Sequence, residues 1–382
     1  MKKIAIIGAG ISGLFIANLF NRNPNYKVTI YEKKTSIDLE EGYGVQLSVN
    51  SIKCLNEIGF KKFQNDEKFN PKKINFYSNK SLNKICELDI TSFNTEDCKY
   101  TTLKRSTLVK FLKRDLVDLI KTDCNISKIE DQENKQIKLF FENDETKECD
   151  YLIISDGVFS KSKSLISNNK TKPRYNDTLA IRGILTKSIE NIENKNISLF
   201  LGSDFHYVIY PVNLKGDLNF IAITKHQLTA EEQKNYLLFS DNSFIKKVFE
   251  KIPFKNKELL NNLKELKIFP VFVSDSFHKL RNKNMHLIGD AFFAFSPSFA
   301  QGASQSIEGA YELFKSIEDN TENDFFKNRV NKIKMVNIRS KLNQFAFHLS
   351  NPLIIFVRNI FLKILVNNKK FLKSYLGKIY KN

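Results

Sequence analysis

The first residues constrain this chain most. Lys3 to Ile7 reads as a buried strand, Gly8, Gly10 and Gly13 follow as G-x-G-x-x-G, "LFIANLFNRN" continues as a helix, and "KVTIYEKK" makes a second strand. That is a βαβ unit. The first glycine permits the tight turn, the second lets a pyrophosphate approach the backbone, and the third lets helix pack on strand. Ile11 and Ser12 open the helix, whose positive N-terminus suits phosphate. Glu32 ends the second strand nineteen residues after Gly13, with Lys33 beside it. Its carboxylate is placed to accept from both ribose hydroxyls, which argues for FAD or NAD rather than NADP. The motif does not separate those two.

Residues 287 to 310, "LIGDAFFAFSPSFAQGASQSIEGA", repeat the plan: a strand, an acidic residue, and a glycine turn into a helix. Either the chain holds two nucleotides, or two distant segments converge on one.

Composition narrows the class. With 382 residues, 42% hydrophobic and 27% charged, the chain reads as globular with two or three domains. The net charge is +18, yet Phe325 to Asn382 carry thirteen Lys or Arg and no Asp or Glu, so +13 belongs to the tail. Nothing resembles a base-reading module, so no nucleic acid is expected. Five cysteines without C-x-x-C spacing and five scattered histidines suit a reducing cytosol and give no metal site. "MKKIAIIGAG" resembles a signal peptide but is broken by glycines, and no stretch reaches the roughly 18 apolar residues of a membrane span. The expectation is a cytoplasmic protein, at most peripheral at the inner face of a membrane.

Further along, residues 101 to 121 carry Leu103, Leu108, Leu112, Leu116 and Leu119, predicting an amphipathic helix after a short strand. "YLIISDG" (151 to 157) and "MHLIGDA" (285 to 291) predict two more buried strands. Segments such as "HYVIYPV" and "LNFIAIT" predict an antiparallel sheet within 175 to 270, joined by a hairpin over 74 to 90.

Four motifs together resemble the single-component FAD-dependent aromatic hydroxylases, the flavoprotein monooxygenases typified by p-hydroxybenzoate and salicylate hydroxylases. Gly42, Gly44, Val45, Leu47 and Asn50 match the family's G-x-G-I-x-L-x-x-N, which lines the flavin; Arg105, Leu108 and Leu112 match R-x-x-L-x-x-x-L, whose Arg contacts the nucleotide. Asp156 and Gly157 match D-G-x-x-S-x-x-R, with Lys163 replacing the final Arg. Gly289, Asp290, Pro297, Gln301, Gly302, Ala303 and Glu308 match the G-D motif and its P-x-x-x-Q-G-A continuation. The resemblance implies that Asp290 binds the ribityl chain and that the amides after Gly302 face the flavin pyrimidine. It covers nearly the whole chain. The usual A-A-H after the acidic residue is Ala291, Phe292, Phe293 here. Within the family the likeness is to the salicylate and 6-hydroxynicotinate hydroxylase branch, through "GSDFHYVIYPVNLKGDLNFIAI" and "SKLNQFAFHLSNPLIIFVRN".

The resemblance implies an α/β fold: a Rossmann-like FAD-binding domain (1–73, 101–174 and 271–320), an inserted antiparallel β-sheet substrate domain (74–100 and 175–270) and a C-terminal basic helical region (321–382). It implies an enzyme in which NADH or NADPH reduces FAD, O2 adds, and a flavin C4a-hydroperoxide hydroxylates an aromatic or phenolic substrate. His206, expected as the base, and Tyr210, a substrate or flavin contact, share one strand face. Phe293, Phe295 and Pro297 are the expected apolar pocket wall, and Arg182 a candidate for a carboxylate. Two alternatives stay open: a membrane-associated flavin monooxygenase acting on a lipophilic polyprenyl phenol or an alkene, and a flavin-binding protein without hydroxylase activity. In the tail, residues before about 366 are expected to pack as a helix on the flavin domain, and only the last turns to meet an anionic membrane.

Overall fold

The computed structural model describes residues 1–37, 43–63, 65–132, 136–166, 172–185 and 192–380; Gly42 lies outside them. Its central sheet has five parallel strands in the order Met285–Leu287, Tyr151–Ile154, Lys2–Ile7, Tyr26–Tyr31 and Ile120–Lys121. Alternation along Lys2–Ile7 divides the two faces. Ile4 and Ile6 join Leu14, Phe15 and Phe20 of the Ile11–Asn21 helix, with Ile307 and Leu313 of the Gly302–Glu318 helix. Ala5 and Ile7 join the other core, with Leu152, Ile154, Phe292 and Phe293. Both faces are covered, which is why these strands read as unbroken apolar runs.

The segment over 101 to 121 is shorter in helix than its leucines predict. Thr101–Lys104 is a strand, Arg105–Lys113 the helix, and Ile120–Lys121 the edge strand paired beside Ile30 and Tyr31. Leu103 is buried in the strand, so its apparent helical phase is coincidental. A three-stranded antiparallel sheet of Ile126–Asp131, Ile137–Phe141 and Thr146–Cys149, not foreseen, covers the second core.

A second sheet has seven strands in the order Leu263–Val273, Arg174–Leu185, Leu218–Lys225, Phe205–Pro211, Ile197–Leu201, Lys73–Ser78 and Lys84–Asp89. The hairpin of Lys73–Ser78 and Lys84–Asp89 enters it through a parallel pairing with Ile197–Leu201; the other pairings are antiparallel. Along Phe205–Pro211, Phe205, Tyr207 and Ile209 face one core, while Val208 and Tyr210 face another shared with the C-terminal helices. His206 and Tyr210 therefore lie on one side of the strand, by its period of two.

The tail reverses the expected assignment. Helix Glu322–Phe347 puts Ile333 into the core behind the parallel sheet and Val336 and Phe347 into the one around Tyr210, and Pro352–Asn367 follows, its Asn351 cap accepting from Leu353 N at 3.0 Å and Ile354 N at 3.3 Å. The last turns are buried: Ile379 and Tyr380 sit in the core, and the Tyr380 ring meets Phe93 edge-on at 5.3 Å. It is Pro352–Asn367 that leaves apolar residues in solvent. One side packs against Lys84–Asp89 and joins the end of the preceding helix through Arg358, while the opposite side is exposed.

Candidate active site

The glycine turn is built for close approach. Gly8 has φ +98, and a Cβ there would lie 2.7 Å from Ser155 O; one on Gly13 would lie 2.1 Å from Gly8 O. Ser155 Oγ donates to the carbonyls of Ile7 at 2.8 Å and Gly8 at 3.0 Å, fixing the turn to the neighbouring strand. Gly10, by contrast, faces open space. Glu32 accepts from Ala9 N at 2.8 Å and Lys34 N at 3.0 Å, so its carboxylate stands beside the turn, with Lys33 exposed next to it.

The second signature touches the first. Gly289 has φ +60, and a Cβ on it would meet Ser12 Oγ at 2.5 Å. Gly302 starts its helix exposed, with nothing near the place of a Cβ, and Ala303 is half-buried beside it. The first amides of a helix have no intrahelical partner, so this terminus is a donor array facing open space. Asp290 is exposed at its rim, yet desolvation by the surrounding protein pushes its carboxyl up to about 6. It is ionised at neutral pH.

A buried polar network locks the Gly44 strand to the Gly302 helix. Ser48 N donates to Ser304 Oγ at 3.0 Å, and Ser51 Oγ to the same oxygen at 3.1 Å. Asn50 Nδ2 and Gln305 Nε2 each donate to Glu308 Oε2 at 2.7 Å. Glu308 is wholly buried; its other oxygen lies 2.9 Å from Lys332 Nζ, close enough for an ion pair but not aligned as a hydrogen bond. Lys332, Ser48 and Ser51 were not anticipated: Lys332 looks in sequence like any lysine of a basic helix.

At the seam with the second sheet, Gly44 N donates to Asn219 Oδ1 at 2.5 Å, and a Cβ on Gly44 would lie 2.8 Å from Tyr210 Cε2. Tyr210 thus presses on the strand that contains Val45, which is half-buried. Burial pushes the Tyr210 hydroxyl well above its usual range, opposed by Arg182 and by hydrogen bonds with Gln46 and Asn219. Arg182 stacks its guanidinium over Phe269 at 5.8 Å.

His206 is buried, and its Nδ1 lies 2.8 Å from His348 Nε2. Burial, then the charge of His348, lowers its pKa well below the usual histidine value; burial, then Lys225, lowers that of His348 to about 4. The segment that brings His348 also brings Ser340, whose hydroxyl donates to the Ser296 carbonyl next to Pro297. His348 was visible in the sequence as part of a family-like stretch, without a role.

Of the expected pocket wall, Phe295 and Pro297 are half-buried, and Phe295 touches both the second core and the one around Tyr210. Phe293 lines the same cavity as Asp290, Phe295 and Gly302. It is buried, its ring stacked on Phe277 at 4.4 Å, because the space behind the parallel sheet takes an aromatic pair. Lys163 also turns inward: it is buried, its ammonium pKa lowered by burial and raised by Asp156. Asp156 accepts from Ser162 N at 3.1 Å, while its buried Oδ1 has no hydrogen-bond partner among the described residues. Arg105, half-exposed at its helix start, has no side-chain acceptor among the described residues.

These groups fit FAD. Two glycines border open space at two helix N-termini, a carboxylate stands beside each turn, and Asp156 Oδ1 has no hydrogen-bond partner among the described residues. Fold and site define a flavoprotein, in which the second glycine turn meets the first through Gly289 and Ser12. The chain belongs to the FAD binding domain family, whose profile matches residues 1–321. FAD is its cofactor, and NAD(P)H is the co-substrate typical of the family. It is 27% identical over 341 residues to the FAD-dependent monooxygenase pigN of Monascus ruber, covering 81% of this chain and 75% of that one. It is 24% identical over 349 residues to salicylate hydroxylase of Pseudomonas putida, covering 83% and 77%. The solved structure of Klebsiella pneumoniae HpxO complexed with FAD and uric acid shares the fold, with TM-score 0.84 at 15% identity over 99% of this chain and 96% of that one.

Proposed function

We propose that this chain is an FAD-dependent monooxygenase that hydroxylates a phenolic ring held between the flavin groove and the seven-stranded sheet. The observation that carries the reading is the contact of Gly44 with Tyr210 and Asn219, because it sets the sheet's polar face directly on the strand expected to line the flavin. FAD would supply reduction by NAD(P)H and activation of O2. Gly8, Gly10, Ile11, Ser12, Gly13, Glu32, Lys33 and Arg105 would hold its nucleotide half; Asp156, Asp290, Gly302, Ala303, Gly44 and Val45 would hold the rest.

On the substrate side, Tyr210 keeps its proton and offers a hydroxyl, with Arg182 supplying positive charge nearby. For His206 the accounting of protons favours a donor over a base. If His206 Nδ1 gave the hydrogen to His348, the buried Nδ1 of His348 would carry an unpaired N–H, which folds rarely tolerate. If His348 Nε2 gives it, His348 Nδ1 is a bare acceptor and His206 carries its own proton on Nε2. His206 then steadies a phenolate oxygen rather than removing its proton.

The test is to purify the protein and follow NADH and NADPH oxidation against a panel of phenols, including lipophilic ones, quantifying oxygenated product. Ring-dependent oxidation with stoichiometric hydroxylated product is expected; its absence with every ring would leave a flavin-binding protein without hydroxylase activity. A lipophilic phenol is the second reading, favoured by the apolar face that Pro352–Asn367 leaves in solvent.

A further inference from the structure

The Pro352–Asn367 helix carries only two charges, Arg358 and Lys363. Arg358 is buried and donates from Nη1 to Ala346 O at 3.1 Å, joining this helix to the end of the one before it. On the solvent side, Leu353 is 78% exposed, Phe356 65% and Phe361 57%, with Ile360 and Ile364 exposed at the same helical spacing. A helix apolar on every side belongs in an apolar environment on every side. Here one side lacks it. The preceding helix adds Ile338, Leu342 and Phe345, also exposed, in the turns that lead into this one.

Charge decides among the occupants. From Phe325 to Asn382 there are thirteen Lys or Arg and no Asp or Glu. Lys341 stands among Ile338, Leu342 and Phe345, and Lys363 is three residues beyond Ile360; both are exposed, as are Lys369, Lys370 and Lys373 just past the helix. Among the described residues none of these five pairs with a carboxylate, whereas Lys332 pairs with Glu308 and Arg329 with Glu312. Two copies of this face pressed together would oppose like charges and bring no anion to either. An anionic lipid surface accepts the apolar side chains and neutralises the lysines, whose long stems let the ammonium groups reach the headgroups.

We propose that the exposed face of Pro352–Asn367, with Lys341 and Lys363, docks this chain onto an anionic bilayer, the helix lying in the interface plane. At 1.5 Å per residue its 16 residues extend about 24 Å, short of the roughly 30 Å hydrocarbon core. No helix among the described residues is long and apolar enough to cross a membrane. The mode is insertion of one face to a depth of about 5–10 Å.

The experiment is flotation of the FAD-loaded full chain with vesicles of phosphatidylcholine alone, or of phosphatidylcholine and phosphatidylglycerol in equal parts, at low and high salt. Partition is read, not turnover, so the result stands apart from the proposed reaction. The protein is expected to float with the anionic vesicles at low salt and to be released from them by salt. Lys341→Gln with Lys363→Gln should lower the partition coefficient roughly fivefold per charge. Phe356→Ser with Phe361→Ser should lower it at least about tenfold, with flavin spectrum and melting temperature unchanged because both rings are exposed. Failure to float at low salt, equal binding to neutral vesicles, or indifference to the Phe pair overturns the proposal. So does a concentration-dependent dimer that the Phe substitutions break, which would assign the face to a second copy.

Discussion

His206 Nδ1 and His348 Nε2 lie 2.8 Å apart although 142 residues separate them in sequence, and both residues are buried. Both are held neutral in the fold: burial lowers His206 well below the usual value and His348 to about 4, and His286 is likewise lowered to about 4. In the unfolded chain each titrates near 6.5. Below that pH the unfolded state binds protons that the folded state refuses, so stability falls as pH drops from about 6.5 to about 4 and is fully present above it. Asp290, raised to about 6, acts in the opposite sense but is a single accessible group. Thermal melts should show a melting temperature that declines from pH 7 to pH 5, and His348→Gln should decline less steeply. An identical slope in both would contradict the pairing.

Glu308 joins three segments through Asn50, Gln305 and Lys332. Glu308→Ala would leave the Lys332 ammonium, only 15% exposed, without its counter-charge. The expected loss is about 3–5 kcal/mol by urea unfolding, the range for breaking one side of a buried pair. Lys332→Met with Glu308→Gln should recover part of it. A loss comparable to that of an exposed pair, below about 1 kcal/mol, would contradict the account.

Gly44 is fixed by its neighbours rather than by its φ. Gly44→Val would drive Cβ into Tyr210 and Asn219, at a cost of about 1–3 kcal/mol for overpacking. Because the displaced residue faces the proposed substrate, product formed per NAD(P)H consumed should fall further than flavin binding does. Measuring both on the same preparation separates the two effects.

Glu32, beside the first glycine turn, and Arg105, at the start of its helix, are proposed to hold the nucleotide. Each of Glu32→Ala and Arg105→Ala should weaken FAD binding by roughly ten- to a hundredfold, the worth of charge-assisted hydrogen bonds. Fluorescence titration of the apoprotein with FAD reads this directly, with the circular dichroism spectrum unchanged.

What the sequence made legible follows a pattern. Gly8, Gly13 and Gly289 were readable because a backbone that forbids a Cβ leaves glycine at fixed spacing, and the parallel strands because burial on both faces leaves apolar runs. Partners were not readable. That Gly289 meets Ser12 depends on Met285–Leu287, Tyr151–Ile154 and Lys2–Ile7 lying side by side, and that Asn50 meets Glu308 on how two helices pack, neither of which spacing along the chain encodes. Leu103 misled because strand and helix meet at Lys104 without a break in the leucine rhythm. The tail misled because amphipathic spacing is the same whether a helix's second face is covered or bare; only the contacts of Ile379 and Tyr380 reveal which part found a core. Phe277, stacked behind Phe293, gave no sign of itself in the sequence.

If the two nucleotide-like signatures, 281 residues apart from Gly8 to Gly289, build one site, the chain holds a single flavin. Flavin stoichiometry tests it most directly: release the cofactor from the purified, FAD-saturated protein by acid, quantify it by absorbance, and compare with protein from amino-acid analysis. The account predicts one FAD per chain, lost in both Gly10→Val and Gly302→Val variants. Two per chain, or a variant that loses one nucleotide and keeps another, would contradict it.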